Sequence, residues 1–247
     1  MSRRVALIAP AASYVGPSLA RVLAAREHDL VLPTPEPGLV AELDAAGAGV
    51  EVVEGADDLR DPDTATALVE AAMSRFGRLD AACMFSGAIL LGRFLDTTVD
   101  DLHTIARGNL EAPYHFLKAV MPPLVERRDG QVVVITSATA ARPAPGASLY
   151  SATRAGASML VKNVAAEHAR DNVQVNAVGT NFMDFPEFVK ANGLEGDPER
   201  RARVESAVPM KRLGTIEEFA AFCAVLLDGT SRFQTGQFFS YSGGWSD

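Results

Sequence analysis

Short apolar runs alternate with amphipathic stretches along the whole 247-residue chain. The runs have the length and composition of strands, and the stretches between them have the periodicity of helices. Parallel strands need such long crossovers and are buried on both faces, so the alternation predicts a parallel sheet covered by helices. The predicted strands are VALIA (5–9), DLVLP (29–33), VEVVE (50–54), LDAACMF (79–85), QVVVIT (131–136), VQVNAV (173–178) and QFFSY (237–241).

We therefore expect an α/β fold: a doubly wound, Rossmann-like parallel sheet with helices on both faces. No internal repeat or linker divides the chain, so residues 1–247 are predicted to form a single domain. An irregular, phenylalanine-containing segment, residues 181–207, lies between the sixth strand and the helix pattern IEEFAAFCAVLLD. A long segment at this edge of a sheet is typical of a lid over a substrate or halide site.

Composition limits the partners and the compartment. The net charge is −8, which argues against nucleic acid or an anionic membrane as a partner. No apolar run approaches the ~20 residues of a membrane span, and the N-terminus lacks a signal-peptide pattern, so a cytoplasmic location is expected. The two cysteines are far apart and are expected to be buried. The four histidines are scattered, and no metal site is predicted.

The turn after the first strand, APAASYVG at residues 9–16, has an unusual composition. A strand, turn and helix at this place typically bind a dinucleotide phosphate and need glycines to do so. Here Pro10 stands at the sharp bend and Tyr14 at the position of close backbone approach, and only Gly16 remains. The sequence therefore predicts a ring in the space of a dinucleotide, and no cofactor. The helix start behind Gly16 still favours a small anion.

Three residues have the types and spacing of a catalytic group. Ser137 ends the fifth strand, and Tyr150 and Arg154 lie four residues apart on the next helix, hence on one face. A free phenol, with a pKa of about 10, is a weak base at neutral pH, but a fixed adjacent cation favours the phenolate. Arginine suits this role because it keeps its proton when buried. A strand-end hydroxyl can then hold a substrate oxygen near the phenolate.

The order of elements, with DLRDPD, RFGRLD, RLGTIEEFA, TGQ and GGW, resembles the short-chain dehydrogenase/reductase superfamily over nearly the whole chain. Members that transfer hydride carry a glycine-rich turn, Asn-Asn-Ala-Gly, Tyr-x-x-x-Lys and Pro-Gly, where this chain has APAASYVG, MFSG, YSATR and TN. The changed set resembles the halohydrin dehalogenases, a branch without the nicotinamide cofactor. Their pattern is Ser-x12-Tyr-x3-Arg, with an aromatic residue two positions before a glycine in the turn.

The resemblance implies halide elimination from vicinal halohydrins to give epoxides, and the reverse opening of epoxides by halide, azide, cyanide or nitrite. It also implies a homotetramer and assigns the catalytic roles to Ser137, Tyr150 and Arg154. The implied halide pocket consists of Tyr14, Thr180, Asn181, Phe182 and Met183. The expected wall of the substrate pocket consists of Phe85, Thr139, Phe188 and Trp245.

Two other functions stay open. One is an NAD(P)-dependent oxidoreductase with an atypical cofactor turn. Asn109 stands where hydride-transferring relatives keep a proton-relay asparagine, Asp58 resembles their adenine-contacting residue, and Ala9 replaces the threonine usual in dehalogenases. The other is a non-catalytic member of the superfamily. The three functions differ in whether a nicotinamide cofactor binds and whether halide is released.

Overall fold

The computed structural model describes residues 3–246 and contains one seven-stranded parallel sheet. The strand order is β3-β2-β1-β4-β5-β6-β9, which confirms the predicted doubly wound sheet, and the order changes direction between β1 and β4. Two short strands, β7 and β8, pair with each other outside this sheet. The strands are β1 (Arg4–Ala9), β2 (His28–Pro33), β3 (Val50–Val53), β4 (Ala81–Phe85), β5 (Gly130–Ser137), β6 (Val173–Thr180), β7 (Met183–Asp184), β8 (Gly214–Thr215) and β9 (Phe238–Tyr241).

Helices cover both faces of the sheet. They are α1 (Gly16–Ala25), α2 (Leu39–Ala45), α3 (Pro62–Phe76), α4 (Val99–Ala106), α5 (Ala112–Arg127), α6 (Ser148–His168), α7 (Pro186–Ala191), α8 (Pro198–Ser206) and α9 (Ile216–Leu227). One core joins the sheet to α1, α2 and α9, and a second core joins it to α3, α5 and α6. Side chains alternate along β1, with Ala6 and Ile8 in the first core and Val5 and Leu7 in the second.

Two segments of the fold have unexpected local structure. A π-helical turn, Arg107–Glu111, lies between α4 and α5. Residues 181–207 are not irregular, because they contain β7, α7 and α8. Pro186 and Pro198 each stand at the first helical position, where a missing N–H costs nothing. These prolines start helices in a segment that otherwise resembles a loop.

Within residues 3–246, no helix is long and apolar enough to cross a bilayer. The same residues contain no group of three histidine, cysteine or acidic side chains that could hold a metal ion. Cys83 and Cys223 are both free and buried, as predicted. Burial raises the pKa of the Cys83 thiol to about 12, and it also raises the pKa of Cys223. Both thiols are therefore core side chains.

Candidate active site

The turn after β1 directs Tyr14 inward, toward the end of the sheet. Its backbone has a positive φ of 52°, a conformation that glycine adopts far more readily than a bulky residue. The ring lies 4.6 Å from the ring of Phe185, 5.1 Å from Phe85 and 5.8 Å from Phe219, between centroids. The phenol donates to Thr180 Oγ1 at 2.9 Å. Burial raises the pKa of Tyr14 above its ordinary value, so this phenol stays neutral.

The start of α1 offers fewer donors to an anion than the sequence suggests. The Gly16 N–H donates to Ser13 O at 3.1 Å, and Pro17 has no N–H. A side chain on Gly16 would lie 2.5 Å from Pro10 O, so this glycine is required for the close packing of α1 on the turn after β1. The remaining glycine of the turn thus has a packing role. The same features also weaken a dinucleotide pyrophosphate site, which depends on free N–H groups at this helix end.

The predicted catalytic residues lie at the carboxyl end of β5 and on the first turns of α6. Ser137 is buried, and its Oγ accepts hydrogen bonds from Thr139 N at 3.2 Å and Thr139 Oγ1 at 3.0 Å. These bonds leave the hydroxyl proton of Ser137 available for another acceptor. Tyr150 is buried among apolar side chains of α4, α6 and the loops beside them. The guanidinium carbon of Arg154 lies 5.2 Å from the centroid of the Tyr150 ring.

Arg154 is a buried cation with few partners. Its side chain is 6% exposed, and its Nη2 donates to the main-chain oxygen of Ser86 at 2.6 Å. Its Nε and Nη1, and Oδ1 of the nearby buried Asn109, have no hydrogen-bond partner within residues 3–246. Buried polar atoms without partners are uncommon and cluster at functional sites. The Asn109 amide instead donates to Ala88 O at 3.2 Å and Thr153 Oγ1 at 3.3 Å.

The residues predicted to hold a halide follow β6 directly. Thr180 pairs with Ser137 in the register of β5 and β6, which brings the end of β6 beside Ser137. Phe182 also has a positive φ, 56°, and its N–H is already bonded to Asn181 Oδ1 at 3.0 Å. The side chain of Met183 is buried in the core. Asn181, Phe182 and Met183 line a cavity of about 420 Å³, but Tyr14, Ser137 and Tyr150 are not part of its lining.

Aromatic side chains form a wall beside this loop. The centroid of the Phe182 ring lies 5.7 Å from that of Trp245 and 6.4 Å from that of Phe188. The Arg142 guanidinium carbon lies 4.8 Å from the centroid of the Trp245 ring. Phe188 contacts Phe185, which in turn contacts Tyr14, so the wall joins the turn after β1.

Sequence reasoning did not identify four residues of this region. Phe185 and Phe219 pack on Tyr14, Ser86 holds Arg154, and Arg142 covers Trp245. The sequence signals for these residues were the repeated phenylalanine in FMDFPEF and the serine in MFSG. Neither signal shows which side chains meet, because the contacts join segments that are distant in the chain.

Comparison with known proteins identifies the family. The model for enoyl-(acyl carrier protein) reductase matches residues 11–246. The chain belongs to the short-chain dehydrogenase/reductase superfamily. It is 30% identical to the oxidoreductase UcpA of Escherichia coli (strain K12) over 96% of this chain and 92% of UcpA.

Solved structures of this superfamily match the whole fold. Acetoin dehydrogenase from Enterobacter cloacae superimposes with a TM-score of 0.84 at 29% identity, covering 99% of this chain and 96% of that chain. Levodione reductase superimposes with a TM-score of 0.87 at 25% identity, covering 98% and 96%. These relatives are named as oxidoreductases, and not as halohydrin dehalogenases. The comparisons therefore favour redox chemistry over the halide elimination that the sequence motifs indicate.

Proposed function

We propose that this member of the superfamily is a cofactor-independent carbon–halide lyase that converts vicinal halohydrins to epoxides. The observation that carries the proposal is the inward position of Tyr14. Its ring fills the turn where dinucleotide-binding relatives keep glycine, and four contacts, three aromatic and one polar, hold it there. Opening that space for a nicotinamide nucleotide would require the loss of all four contacts.

The reaction needs a hydrogen-bond donor, a base and a place for the anion. Ser137 donates its free proton to the hydroxyl oxygen of the substrate, and Tyr150 as phenolate accepts the proton of that hydroxyl. The resulting alkoxide attacks the neighbouring carbon. The carbon–halogen bond breaks, the halide leaves with the electron pair, and an epoxide closes. Both reacting groups belong to one molecule, so orientation and charge stabilisation are the main contributions of the protein.

Arg154 supports the base because its cation lies beside the Tyr150 ring in a buried environment. In such surroundings a cation is effective in stabilising a nearby anion. The unpaired guanidinium N–H groups of Arg154 are consistent with a second anionic partner, and the phenolate of Tyr150 is the proposed one. Tyr14 does not compete as a base, because burial raises its pKa.

The leaving halide is assigned to the space bounded by Tyr14, Thr180 and the loop Asn181–Met183. Ring edges and backbone N–H groups are suitable partners for a soft monoanion. The Phe182 N–H is occupied by Asn181 Oδ1, so a halide there displaces the side chain of Asn181. Phe85, Thr139, Phe188 and Trp245 are proposed to contact the rest of the substrate. A tetrameric assembly is part of the same proposal.

A second candidate function is a nicotinamide-dependent oxidoreductase. It is favoured by the named relatives and by Asn109, which is buried beside α6 as a proton-relay residue would be. This candidate keeps Ser137 and Tyr150 in the same roles toward a substrate oxygen. It differs in requiring a cofactor, and hence in requiring Tyr14 to move.

The test is bromide release from a small vicinal bromo-alcohol with no nicotinamide present. We expect the wild type to release bromide and acid in equal amounts. Tyr150→Phe should lower the rate by about a thousandfold, because it removes the base. The matched control is Tyr114→Phe, since Tyr114 is about half exposed on α5, and it should keep the wild-type rate.

Three outcomes would contradict the proposal. They are bromide release that survives in Tyr150→Phe, NADPH-dependent reduction of ketones without any bromide release, and purification of the protein with a tightly bound nicotinamide nucleotide. Either of the last two would instead support the oxidoreductase.

A further inference from the structure

The short segment directly after β4 determines where the Arg154 guanidinium lies. The main-chain oxygen of Ser86 accepts the hydrogen bond from Arg154 Nη2, at 2.6 Å. The other two nitrogens of this guanidinium have no partner within the described part of the chain. The guanidinium therefore makes one hydrogen bond within residues 3–246, although it carries five donors. The location of the Ser86 carbonyl oxygen thus helps to set how the guanidinium lies over the Tyr150 ring.

The π-helical turn Arg107–Glu111 in turn fixes this carbonyl. The Ser86 hydroxyl donates to Gly108 O at 2.7 Å, and the Asn109 amide donates to Ala88 O at 3.2 Å. Gly87 lies so close to the turn that a side chain on it would meet Asn109 Oδ1 at 1.7 Å. Single π-helical turns occur often at functional sites. Ser86 contacts both Arg154 and this turn.

We propose that Ser86 is a positioning residue, whose hydroxyl anchors its own carbonyl so that Arg154 stays beside Tyr150. Ser86 acts through Arg154 and is not itself catalytic. An effect of Ser86 on catalysis rests on the proposed function of the pair Tyr150–Arg154, which the lyase and the oxidoreductase share. The positioning itself depends only on the observed contacts, so it can be measured without a substrate.

The experiment measures hydrogen exchange of the Arg154 side chain by NMR in protein labelled with ¹⁵N-arginine. The Arg154 resonance is assigned by its absence from Arg154→Lys. We expect a protected N–H in the wild type and about fivefold faster exchange in Ser86→Ala, the factor that corresponds to a hydrogen bond of about 1 kcal/mol. Ser86→Thr keeps a hydroxyl and should restore most of the protection.

The matched control is Ser158→Ala. Ser158 is a buried serine on α6 whose hydroxyl donates to the main-chain oxygen of Arg154 at 2.9 Å. Ser158→Ala therefore also removes a bond from a serine hydroxyl to a main-chain oxygen, but leaves Ser86 and the π-helical turn unchanged. It should leave the exchange of the guanidinium unchanged. Unchanged exchange in Ser86→Ala, or equal acceleration in Ser158→Ala, would overturn the proposal.

Steady-state kinetics then test the effect of Ser86 on catalysis. The assay is bromide release or ketone reduction, according to which activity the wild type has. We expect Ser86→Ala to lower kcat about fivefold at unchanged KM, with recovery in Ser86→Thr. An inactive wild type in bromide release that still reduces ketones would end the lyase proposal. The exchange result for Ser86 would remain valid in that case, so the two failures are distinguishable. A raised KM with unchanged kcat would show that Ser86 contacts substrate and would overturn its role as a positioning residue.

Discussion

Buried polar groups at the two ends of the parallel sheet differ in how completely they are hydrogen-bonded. At the amino end, the fully buried carboxylate of Asp80 accepts hydrogen bonds from Val5 N at 2.8 Å and from Arg78 Nε at 2.7 Å. Arg127 adds an ion pair at 3.3 Å, and Gln131 donates to Gln174 Oε1 at 2.7 Å in the same region. Each of these groups has a partner, at 2.7 to 3.3 Å.

At the carboxyl end, a buried cation and a buried amide keep atoms without partners. Arg154 Nε and Nη1 and Asn109 Oδ1 have no hydrogen-bond partner within residues 3–246. The buried Nε of Arg3, at the amino end, also makes no hydrogen bond, but it lies 3.0 Å from the carboxylate of Asp29. Positive φ does not separate the ends, because Tyr14 and Arg128 both have it. Unpaired buried groups cost free energy and are found preferentially at functional sites. Ligands of doubly wound sheets bind at this end. The contrast is that the carboxylate of Asp80 at the amino end is fully paired, while Arg154 and Asn109 keep unpaired atoms at the end where ligands of this fold bind.

The largest expected effect is at the amino end. Asp80→Asn removes the carboxylate that pairs with Arg78 and Arg127. Both arginine side chains are partly buried, so water replaces this partner only incompletely. We expect a loss of about 3 kcal/mol in the free energy of unfolding, with catalytic activity per folded molecule retained. Urea denaturation measures the first quantity. Asp58→Asn is the control, because its ion pair with Arg60 is exposed and should contribute less than about 1 kcal/mol.

The same carboxylate predicts a pH dependence. Burial by itself raises the pKa of Asp80, but hydrogen bonds from Arg78 and Val5 outweigh it, so the pKa lies below its ordinary value. The unfolded chain therefore takes up a proton near pH 4, before the folded chain does. The stabilisation by Asp80 is present above that pH and is lost as the pH falls through the folded pKa. The difference between the wild type and Asp80→Asn in urea should shrink below about pH 4. A constant difference would show that the charge of Asp80 is not responsible.

A smaller effect is expected at the carboxyl end. Tyr14→Phe keeps the ring contacts and removes only the hydrogen bond to Thr180, so it should cost about 1 kcal/mol in the free energy of unfolding. Tyr14→Gly removes the ring and suits the positive φ, so it should admit NADPH where the wild type does not, as measured by calorimetry. If the wild type binds NADPH as well as Tyr14→Gly, the ring does not exclude a dinucleotide.

The smallest expected effect is the reactivity of the two thiols in the core, Cys83 in the central strand β4 and Cys223 on α9. Cys83 and Cys223 are buried and their pKa values are raised, so neither thiol should react with a disulfide reagent at pH 8 in the native state. Both should react in urea. Rapid reaction in the native state would show that the core between the two ends opens easily. The properties of the two ends could then not be compared independently of each other.

The sequence alone determined the seven strands of the main sheet, their parallel arrangement and the positions of Ser137, Tyr150 and Arg154 relative to that sheet. These features depend on hydrophobic periodicity and on helix spacing, which are local properties of the chain. The family resemblance also followed from local motifs and was confirmed at the level of the superfamily. For the chemistry, the local motifs favour a lyase and the named relatives favour an oxidoreductase.

Only the tertiary structure decided that Tyr14 points inward, that Phe185 and Phe219 hold it, and that Ser86 holds Arg154. It also decided that prolines start helices inside the segment 181–207. These contacts join residues far apart in the chain, and side-chain packing rather than local backbone preference selects them. A sequence pattern shows that an aromatic residue has replaced a glycine, but the direction of its ring depends on neighbours that only the folded sheet brings together.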